Sequence, residues 1–394
     1  MTLTLDIVDD VAGIDRIETE WASFLSGRAE GHTVHHHPSI FRAFLATEQG
    51  RSTPLVLVVR DADDGDSICA LGCFFVWRGA FELTASVVTL FSLPSRTLKL
   101  VGDRIVFARD ADATACALRI VRALSTLGEH YDLIHLAELA LPNPLASAID
   151  RAPAGLREVV VRKRREHVYE HTMFEDRAGY DRWLGSKRRN TIKRNTRRWR
   201  DNEAKSRGCL RVVRDVADAP RFATAVARVR RETWQAKTYG IDEATLGPDY
   251  VRFLEAFASR GWLRSYLMER HDGTPVAFII GFQGYDTYHY VDIGFDAAHR
   301  KDHPGVAATY LMMEDLYEHD PPARVDFGYG DNRYKRAVCN TTYVSRPMHL
   351  TGRRRWRAAF GAQRFLDDAA RRARALVARA GLEDRVRDIL KHRS

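Results

Sequence analysis

Apolar and polar positions along the chain follow two periods that recur in the same order. Short runs with period two predict strands, and longer runs with apolar residues three or four apart predict helices. In the first part they predict strands at 3–8, 55–60, 68–77, 87–91, 98–107, 133–136 and 158–161, and helices at 14–25, 38–47, 111–127 and from 141. Alternation of this kind is typical of an α/β fold.

The second part of the chain repeats this order. It predicts strands at 210–213, 263–268, 276–282, 287–295 and 325–327, and helices at 219–238, 250–259 and 307–317. Acidic, glycine-containing hairpin turns at 61–66 and 271–274 lie at matching places, about 210 residues apart. We therefore predict two copies of one α/β unit, each with a mixed sheet flanked by helices. The predicted domains are 1–165, 166–350 and a basic helical tail at 351–394.

The turn at 300–307 is the most informative stretch for chemistry. It follows the strand at 287–295, opens the helix at 307–317 and reads Arg-Lys-Asp-His-Pro-Gly-Val-Ala. A helix that opens on small residues presents unpaired backbone N–H groups at its positive end, where phosphate oxygens bind. The alternative is an ordinary Pro-Gly turn without a ligand.

A second strand and a polar cluster strengthen the phosphate interpretation. The strand at 323–328 leads directly into Tyr-Gly-Asp-Asn-Arg-Tyr-Lys at 329–335. This order of elements resembles the acyl-coenzyme A site of the GNAT acyltransferase superfamily, whose turn reads Gln/Arg-x-x-Gly-x-Gly/Ala. Gly305 and Ala307 fit its fourth and sixth places, whereas Asp302 stands where Gln or Arg is expected.

Several short motifs resemble the cellulose-biosynthesis (CelD-like) acetyltransferase branch of that superfamily. They are the Pro-Gly turn, Asp-Phe-Gly-x-Gly at 326–330, Tyr-Lys at 334–335, the segment at 183–190 followed by a basic helix, Trp21, and His-His-Pro-Ser at 36–39. The branch implies tandem acyl-coenzyme A N-acyltransferase domains that use acetyl-coenzyme A or another acyl-coenzyme A and no metal. It implies a cofactor seat at Pro304, Gly305, Val306 and Ala307.

Two candidate bases lie on the strand at 287–295. Acyl transfer to an amine requires that the amine lose a proton and that the thiolate leave. Period two places Tyr288, Tyr290 and Asp292 on one face and His289 on the other. Asp292 is a candidate because it is ionisable in an apolar strand, and its alternative is an ion pair with an Arg or a turn cap. His289 is a candidate because histidine is a common general base, and its alternative is simple packing.

Further candidates surround the end of the last core strand. Asp326 lies where α/β sheets place ligand-facing groups, and it would orient Lys335 or the acceptor amine; its alternative is a salt bridge. The resemblance assigns protonation of the departing thiolate to Tyr334, a task that suits a phenol. Lys335 is a candidate for binding a phosphate or carboxylate, or else a solvated residue. Arg188 and Arg189 match the branch's basic pair and are candidates for the acceptor side.

The net charge of +9 comes from two segments. Residues 151–200 carry +10 and residues 353–394 carry +8, so the rest of the chain is acidic. The helix predicted at 186–200 has eight Lys or Arg and no acid. It is either a solvated face or a surface for a phosphate-rich partner such as an acyl-carrier protein, a nucleotide sugar or a lipid headgroup. The amphipathic tail suits peripheral contact with an anionic membrane or, more simply, packing on the second copy.

Composition indicates where the protein works. The chain has no run of 18 uncharged apolar residues, and it starts without the basic and apolar blocks of a signal peptide. Its five cysteines are scattered and include no paired C-x-x-C motifs. We therefore predict a cytoplasmic protein without structural zinc.

These features together predict an enzyme that moves an acyl group from acyl-coenzyme A to an amine or hydroxyl. The acceptor would be a small molecule or a saccharide- or lipid-linked group, such as a sugar, an amino acid or an envelope or polysaccharide precursor. It would attack directly in a cleft between the two copies, and no specific nucleic acid is expected. One alternative is a Fem-type transferase that uses aminoacyl-tRNA, with tRNA phosphates on the basic helix. Another is a non-catalytic binding protein of the same fold, which Asp302 favours.

Overall fold

The computed structural model describes residues 2–47, 52–85, 88–151, 157–159, 166–200, 206–233, 247–332 and 334–379. The strands are β1 Leu3–Val8, β2 Ala29–Glu30, β3 Ser52–Asp61, β4 Ser67–Ala85, β5 Val88–Leu100, β6 Val106–Ala108, β7 Leu133–Leu141, β8 Arg157–Val159, β9 Glu166–Thr172, β10 Gly208–Val213, β11 Ser265–Arg270, β12 Pro275–Gly284, β13 Thr287–Phe295, β14 Arg324–Tyr329 and β15 Thr341–Thr351. The helices are α1 Val11–Gly27, α2 Pro38–Thr47, α3 Ala113–Leu127, α4 Pro144–Asp150, α5 Arg177–Thr196, α6 Ala219–Glu232, α7 Pro248–Ala258, α8 Pro304–Glu318, α9 Lys335–Val338 and α10 Arg354–Arg379.

The strands form one continuous mixed sheet. Their order is β1-β3-β4-β5-β7-β15-β9-β14-β13-β12-β11-β10, with β2, β6 and β8 paired beside this path. Neighbours are antiparallel except in the parallel pairs β5–β7 and β13–β14. The order β1, α1, α2, β3, β4, β5, α3, β7, α4 recurs as β10, α6, α7, β11, β12, β13, α8, β14, α9. The predicted α/β fold, with a repeated unit of mixed sheet and flanking helices, is therefore confirmed.

The two halves are joined by main-chain pairing at the centre of the sheet. β15 comes last among the strands, yet it pairs with β7 of the first half as well as with β9. β9 in turn pairs with β14 of the second half. The domain boundary expected after residue 165 stays a prediction. β15 comes after this boundary in sequence but pairs with β7, which comes before it. Such long-range pairing leaves no local signal in the sequence.

Each face of the second half's sheet carries its own apolar layer. On one face, α5 and α8 pack on Tyr266, Tyr288 and Tyr290. On the other, α6 and α7 pack on Phe278 and Phe282. Helix α8 is buried along most of its length, so the position of its N-terminus relative to β13 is fixed by packing.

The C-terminal helix α10 packs on the first half. Trp356 and Phe360 are buried against Phe81 of β4, and Arg355 pairs with Asp132. The expectation that the tail packs on the second copy is wrong, because its apolar face meets the long β4 hairpin. Residues 380–394 of the predicted tail lie outside the described residues. None of the helices that the structure describes is long and apolar enough to cross a lipid bilayer.

A histidine pair makes the junction between the halves sensitive to acid. His135 of β7 and His349 of β15 stack with ring centroids 4.2 Å apart. Burial lowers the pKa of His135 to about 4 and the pKa of His349 to about 3, whereas an unfolded histidine has a pKa near 6.5. Below about pH 6.5 the unfolded chain therefore binds protons that the folded pair does not. The free energy of unfolding falls as pH decreases through this range.

We expect the double variant His135→Phe/His349→Phe to lose part of this acid sensitivity. Each histidine contributes about 1.4 kcal/mol per pH unit below about pH 6.5. Between about pH 7.5 and about pH 5, the wild-type chain should therefore lose up to about 4 kcal/mol more unfolding free energy than the variant. Urea unfolding at both pH values measures the difference, with the exposed His130→Phe as control. Equal losses in the wild type and the double variant would contradict this account.

Candidate functional site

The predicted phosphate turn consists of a short 3-10 helix and the start of α8. After β13, residues Ala297–Asp302 form the 3-10 helix, and His303 adopts a left-handed conformation with a φ of 51°. Helix α8 then begins at Pro304, which has no N–H. The amide of Ala307 donates to the carbonyl of His303 at 3.0 Å. Pro304 and Ala307 therefore shape the turn and offer no free donor.

The amides of Gly305 and Val306 have no hydrogen-bond acceptor among the described residues. Val306 is 38% exposed, whereas Gly305 is buried. A Cβ at position 305 would lie 3.1 Å from Cδ1 of Phe295, so glycine permits the close approach of α8 to β13. Two of the four predicted cofactor residues thus present N–H groups at the positive end of a helix, the geometry that binds phosphate. We call these two amides the cradle.

Asp302, which replaces the expected Gln or Arg, is buried and ion-paired. Its Oδ1 accepts a hydrogen bond from Arg198 at 2.8 Å, and its Oδ2 accepts one from Arg207. Its carbonyl accepts a hydrogen bond from the Trp199 indole at 3.3 Å. The two guanidiniums are 46% and 55% exposed. One carboxylate therefore fixes two cations beside the cradle, and the local charge is positive although residue 302 is acidic.

An open groove of about 760 Å³ runs from the cradle along α5. Its lining includes Val306 and Tyr310 of α8 and Lys187 and Arg188 of α5. We call it the donor groove. Arg188, predicted for the acceptor side, thus lies beside the predicted cofactor seat, and Arg189 lines a different cavity on α5. The structure does not bring this basic pair to the candidate bases.

Strands β13 and β14 start side by side and then separate. Their parallel pairing extends only from Thr287 with Arg324 to His289 with Asp326. Beyond this point β13 has a bulge, since its register with β12 skips Val291. The extra residue of a bulge is left out of the ladder. A gap therefore opens between the two strands near the cradle, and Val291, which is outside the ladder, borders it.

The bulge also changes the face that Asp292 occupies. Tyr288 and Tyr290 face the layer that contains α8, and after the bulge Ile293 continues that face. Asp292 lies on the opposite face, where Arg230 of α6 donates to it at 2.5 Å. The prediction that Asp292 shares a face with the tyrosines is wrong because it assumed unbroken period two. The carboxylate is 39% exposed and ion-paired, which is the alternative that the sequence left open.

His289 and Asp326 come together where the strands separate. His289 Nδ1 lies 3.7 Å from Asp326 Oδ2, and Asp326 Oδ1 accepts a hydrogen bond from the Gly328 amide at 2.7 Å. His289 is 7% exposed, and its Nε2 has no partner among the described residues. The arrangement suits a histidine that takes a proton at Nε2 while a carboxylate stabilises the imidazolium.

Tyr334 and Lys335 follow β14 and have different surroundings. Tyr334 packs beside Tyr290, with ring centroids 6.4 Å apart, and burial raises the pKa of Tyr334 to about 12. The phenol therefore keeps its proton at neutral pH, as a proton donor must. The buried ammonium of Lys335 donates to the carbonyls of Gly328 and Tyr329 at 3.2 and 2.6 Å. This contradicts the expected substrate-binding role of Lys335, since its ammonium is engaged with the main chain.

The first half contributes a side chain that sequence reasoning missed. The ring of His35 lies 5.6 Å from the ring of His289, and burial lowers the pKa of His35 to about 3. His35 is therefore neutral at physiological pH. The signal in the sequence is the histidine-rich run at 32–37, although nothing local tells that it meets β13.

Charged side chains from both halves lie close together near Asp326. Asp103 of the first half is ion-paired with Arg104 and accepts a hydrogen bond from Tyr343 of β15 at 3.4 Å. On β9, burial and then the charge of Asp326 raise the pKa of Glu170. Sequence reasoning also missed these groups, because they come from both halves.

Comparison with known proteins agrees with this architecture. Residues 186–336 match the family of acetyltransferase (GNAT) domains, so the second half contains a GNAT domain. The crystal structure of FemX is similar with a TM-score of 0.55 and 9% identity, over 84% of this chain and 95% of FemX. A conserved protein of unknown function from Bacteroides thetaiotaomicron VPI-5482 has a TM-score of 0.51 and 12% identity, over 88% of this chain and 100% of that protein.

A third similar structure is a tandem GNAT protein from the clavulanic acid biosynthesis pathway, with a TM-score of 0.49 and 11% identity. It covers 88% of this chain and 98% of its own. None of the curated proteins compared with this chain matches it significantly in sequence. At these identities the structural similarities show the fold alone. The chain therefore shares its fold with FemX and with the Bacteroides thetaiotaomicron protein, and a GNAT domain lies within its second half.

Proposed function

We propose that this protein transfers an acyl group from acyl-coenzyme A to an amine or hydroxyl. The observation that carries the proposal is the cradle, two amides without an internal acceptor at the N-terminus of α8, next to the gap between β13 and β14. A diphosphate on Gly305 and Val306 would direct the rest of the donor toward that gap. Acetyl-coenzyme A or a longer acyl-coenzyme A fits this description.

Positively charged or positively polarised groups would bind the phosphates of the donor. The cradle amides, the guanidiniums fixed by Asp302, and Lys187 and Arg188 in the donor groove all favour anions. The presence of Asp302 is therefore no argument for a non-catalytic protein, because its carboxylate forms ion pairs with Arg198 and Arg207.

The reaction would proceed by direct attack of the acceptor. The acceptor nitrogen forms a bond to the thioester carbon and passes its proton to His289 Nε2, while Asp326 stabilises the imidazolium. The carbon–sulfur bond then breaks, and the departing thiolate takes a proton from Tyr334. Asp292 would act only through its ion pair with Arg230, as a group that positions β13.

The acceptor would bind in the cleft between the halves. The carboxylates of Asp103, Glu170 and Asp326 suit an ammonium group before it loses its proton. A sugar, an amino acid or a saccharide- or lipid-linked precursor, as in the CelD-like branch, is the class that we propose. We extend the proposal to delivery of the acyl group by an acyl-carrier protein and to peripheral membrane contact through the C-terminal tail.

Binding and turnover of acyl-coenzyme A test the proposal. We expect calorimetry to show one coenzyme A site per chain with micromolar to millimolar affinity, the usual range for enzyme substrates. Thiol release from acetyl-coenzyme A should rise with one or more members of a panel of amino sugars and amino acids. Absence of heat with acetyl- and longer acyl-coenzyme A would contradict the proposal.

Two observations favour the Fem-type alternative: the basic second half of α5 and the fold similarity to FemX. It predicts that tRNA copurifies with the protein and is lost steeply as salt increases. An open cradle at α8 would then have no donor diphosphate to bind. Purification with RNA but without affinity for coenzyme A would favour this alternative over the acyl-coenzyme A mechanism.

A further inference from the structure

A second basic cavity lies on α5, next to the donor groove. Its volume is about 380 Å³, and it is lined by α5, by the 3-10 turn that follows it and by α8. We call it the α5 pocket. Leu184, Ile192 and Tyr310 line both cavities, so these side chains form the wall between them. The α5 pocket is therefore adjacent to the donor groove but separate from the cradle.

Three cations on one stripe of α5 and its extension line the α5 pocket. Arg189, Lys193 and Arg197 are four residues apart, which places them on one side of a helix. None of these three side chains has a hydrogen-bond or ion-pair partner among the described residues. The sequence has no acid between residues 182 and 200. Like charges with this spacing repel each other, so an anion in the pocket would stabilise the stripe.

The opposite wall of the α5 pocket is preorganised. Arg177 and Arg200 both bind the carboxylate of Glu314, which is 13% exposed, and Arg177 also binds Glu318 at 2.7 Å. Glu314 therefore holds two guanidiniums at the rim in fixed positions. With Asp181 included, the lining carries five cations and two carboxylates.

One further group in the lining lacks a partner. The hydroxyl of Tyr180, a residue that is 2% exposed, makes no hydrogen bond within the described part of the chain. Exposed cations on a convex surface need no ligand. Here five cations and a phenol surround a concavity whose size is in the range of small-molecule sites.

We propose that the α5 pocket binds a phosphate-bearing ligand, a phosphate monoester or diphosphate, at a site distinct from the cradle. Guanidinium and ammonium groups together form charge-assisted hydrogen bonds to phosphate oxygens. The phosphate belongs either to the far end of the acyl donor or to a phosphorylated acceptor. Both sources present the same chemistry to the pocket.

Calorimetric titration of inorganic pyrophosphate into the full chain tests this proposal. We expect two sites in the wild type, the cradle and the α5 pocket. The variant Lys193→Gln/Arg197→Gln should weaken the pocket site by about tenfold or more and leave the cradle unchanged. The control Arg182→Gln/Arg194→Gln removes the same charge from exposed positions of α5 that line neither cavity. It should bind pyrophosphate like the wild type.

The variant Val306→Pro, which removes a cradle N–H, distinguishes this proposal from the proposed function. If Val306→Pro loses a site and Lys193→Gln/Arg197→Gln matches its control, the pocket proposal is overturned and the acyltransferase proposal stands. If only Lys193→Gln/Arg197→Gln loses a site, the pocket proposal stands and the cradle of the acyltransferase proposal is contradicted. Saturating coenzyme A identifies the source: loss of the pocket site assigns it to the donor, and retention assigns it to a separate phosphorylated ligand.

Discussion

Coenzyme A binding should weaken by about 10- to 100-fold when Val306 is replaced by Pro. The substitution removes the more exposed of the two N–H groups of the cradle, and a hydrogen bond to a charged group contributes about 1.5–3 kcal/mol. Proline is tolerated in the first turn of a helix, where its missing N–H breaks no internal bond. Gly305, the residue before it, has no Cβ to clash with the proline ring. Calorimetry with coenzyme A measures the effect.

The matched control is Val306→Ala, which keeps the N–H and removes only part of an exposed side chain. Its affinity should stay within about twofold of the wild type. Gly305→Trp should also abolish binding, but it is a poorer test. Its side chain would start 3.1 Å from Phe295 and disturb the packing of α8 on β13. Equal affinities of the Pro and Ala variants at position 306 would show that this amide binds no phosphate.

Turnover should fall by about 100- to 10,000-fold in His289→Ala, because a positioned general base contributes a factor of this size. The affinity for coenzyme A should hardly change, since His289 lies on the face of β13 opposite the layer that contains α8. Thiol release with the best acceptor of the panel measures kcat, and calorimetry measures donor binding in the same preparation.

The exposed His271→Ala is the control for this experiment and should keep full turnover. Asp326→Asn should lower kcat as well, though less, because it removes the charge that stabilises the imidazolium but keeps the ring. If His289→Ala retains the wild-type kcat, the assignment of the base is wrong. Asp292→Asn, which only breaks the pair with Arg230, should have the smallest effect of the three.

The order and spacing of residues along the chain predicted the turn at Gly305, the repeated unit, and two of the candidate site residues. The strand–turn–helix order around Gly305 indicated open amides, and the repeated order of strands and helices indicated two copies of one unit. His289 and Asp326 were both candidates, and the parallel register of β13 and β14 makes them neighbours. These features follow from chain order and periodicity, which a single sequence displays.

The features that the sequence did not predict depend on contacts between distant segments or on one inserted residue. The bulge at Val291 reversed the face of Asp292, since one extra residue shifts every later side chain by one position. Lys335 looked like a ligand group, but the carbonyls at the end of β14 hold its ammonium. His35 reaches His289 only because the first half packs against the second.

A crystal structure of the wild-type chain with acetyl-coenzyme A tests the central claim most directly. We expect diphosphate oxygens within about 3.2 Å of the amide nitrogens of Gly305 and Val306, with the thioester in the gap between β13 and β14. A diphosphate bound elsewhere, with both amides facing only solvent, would contradict the account.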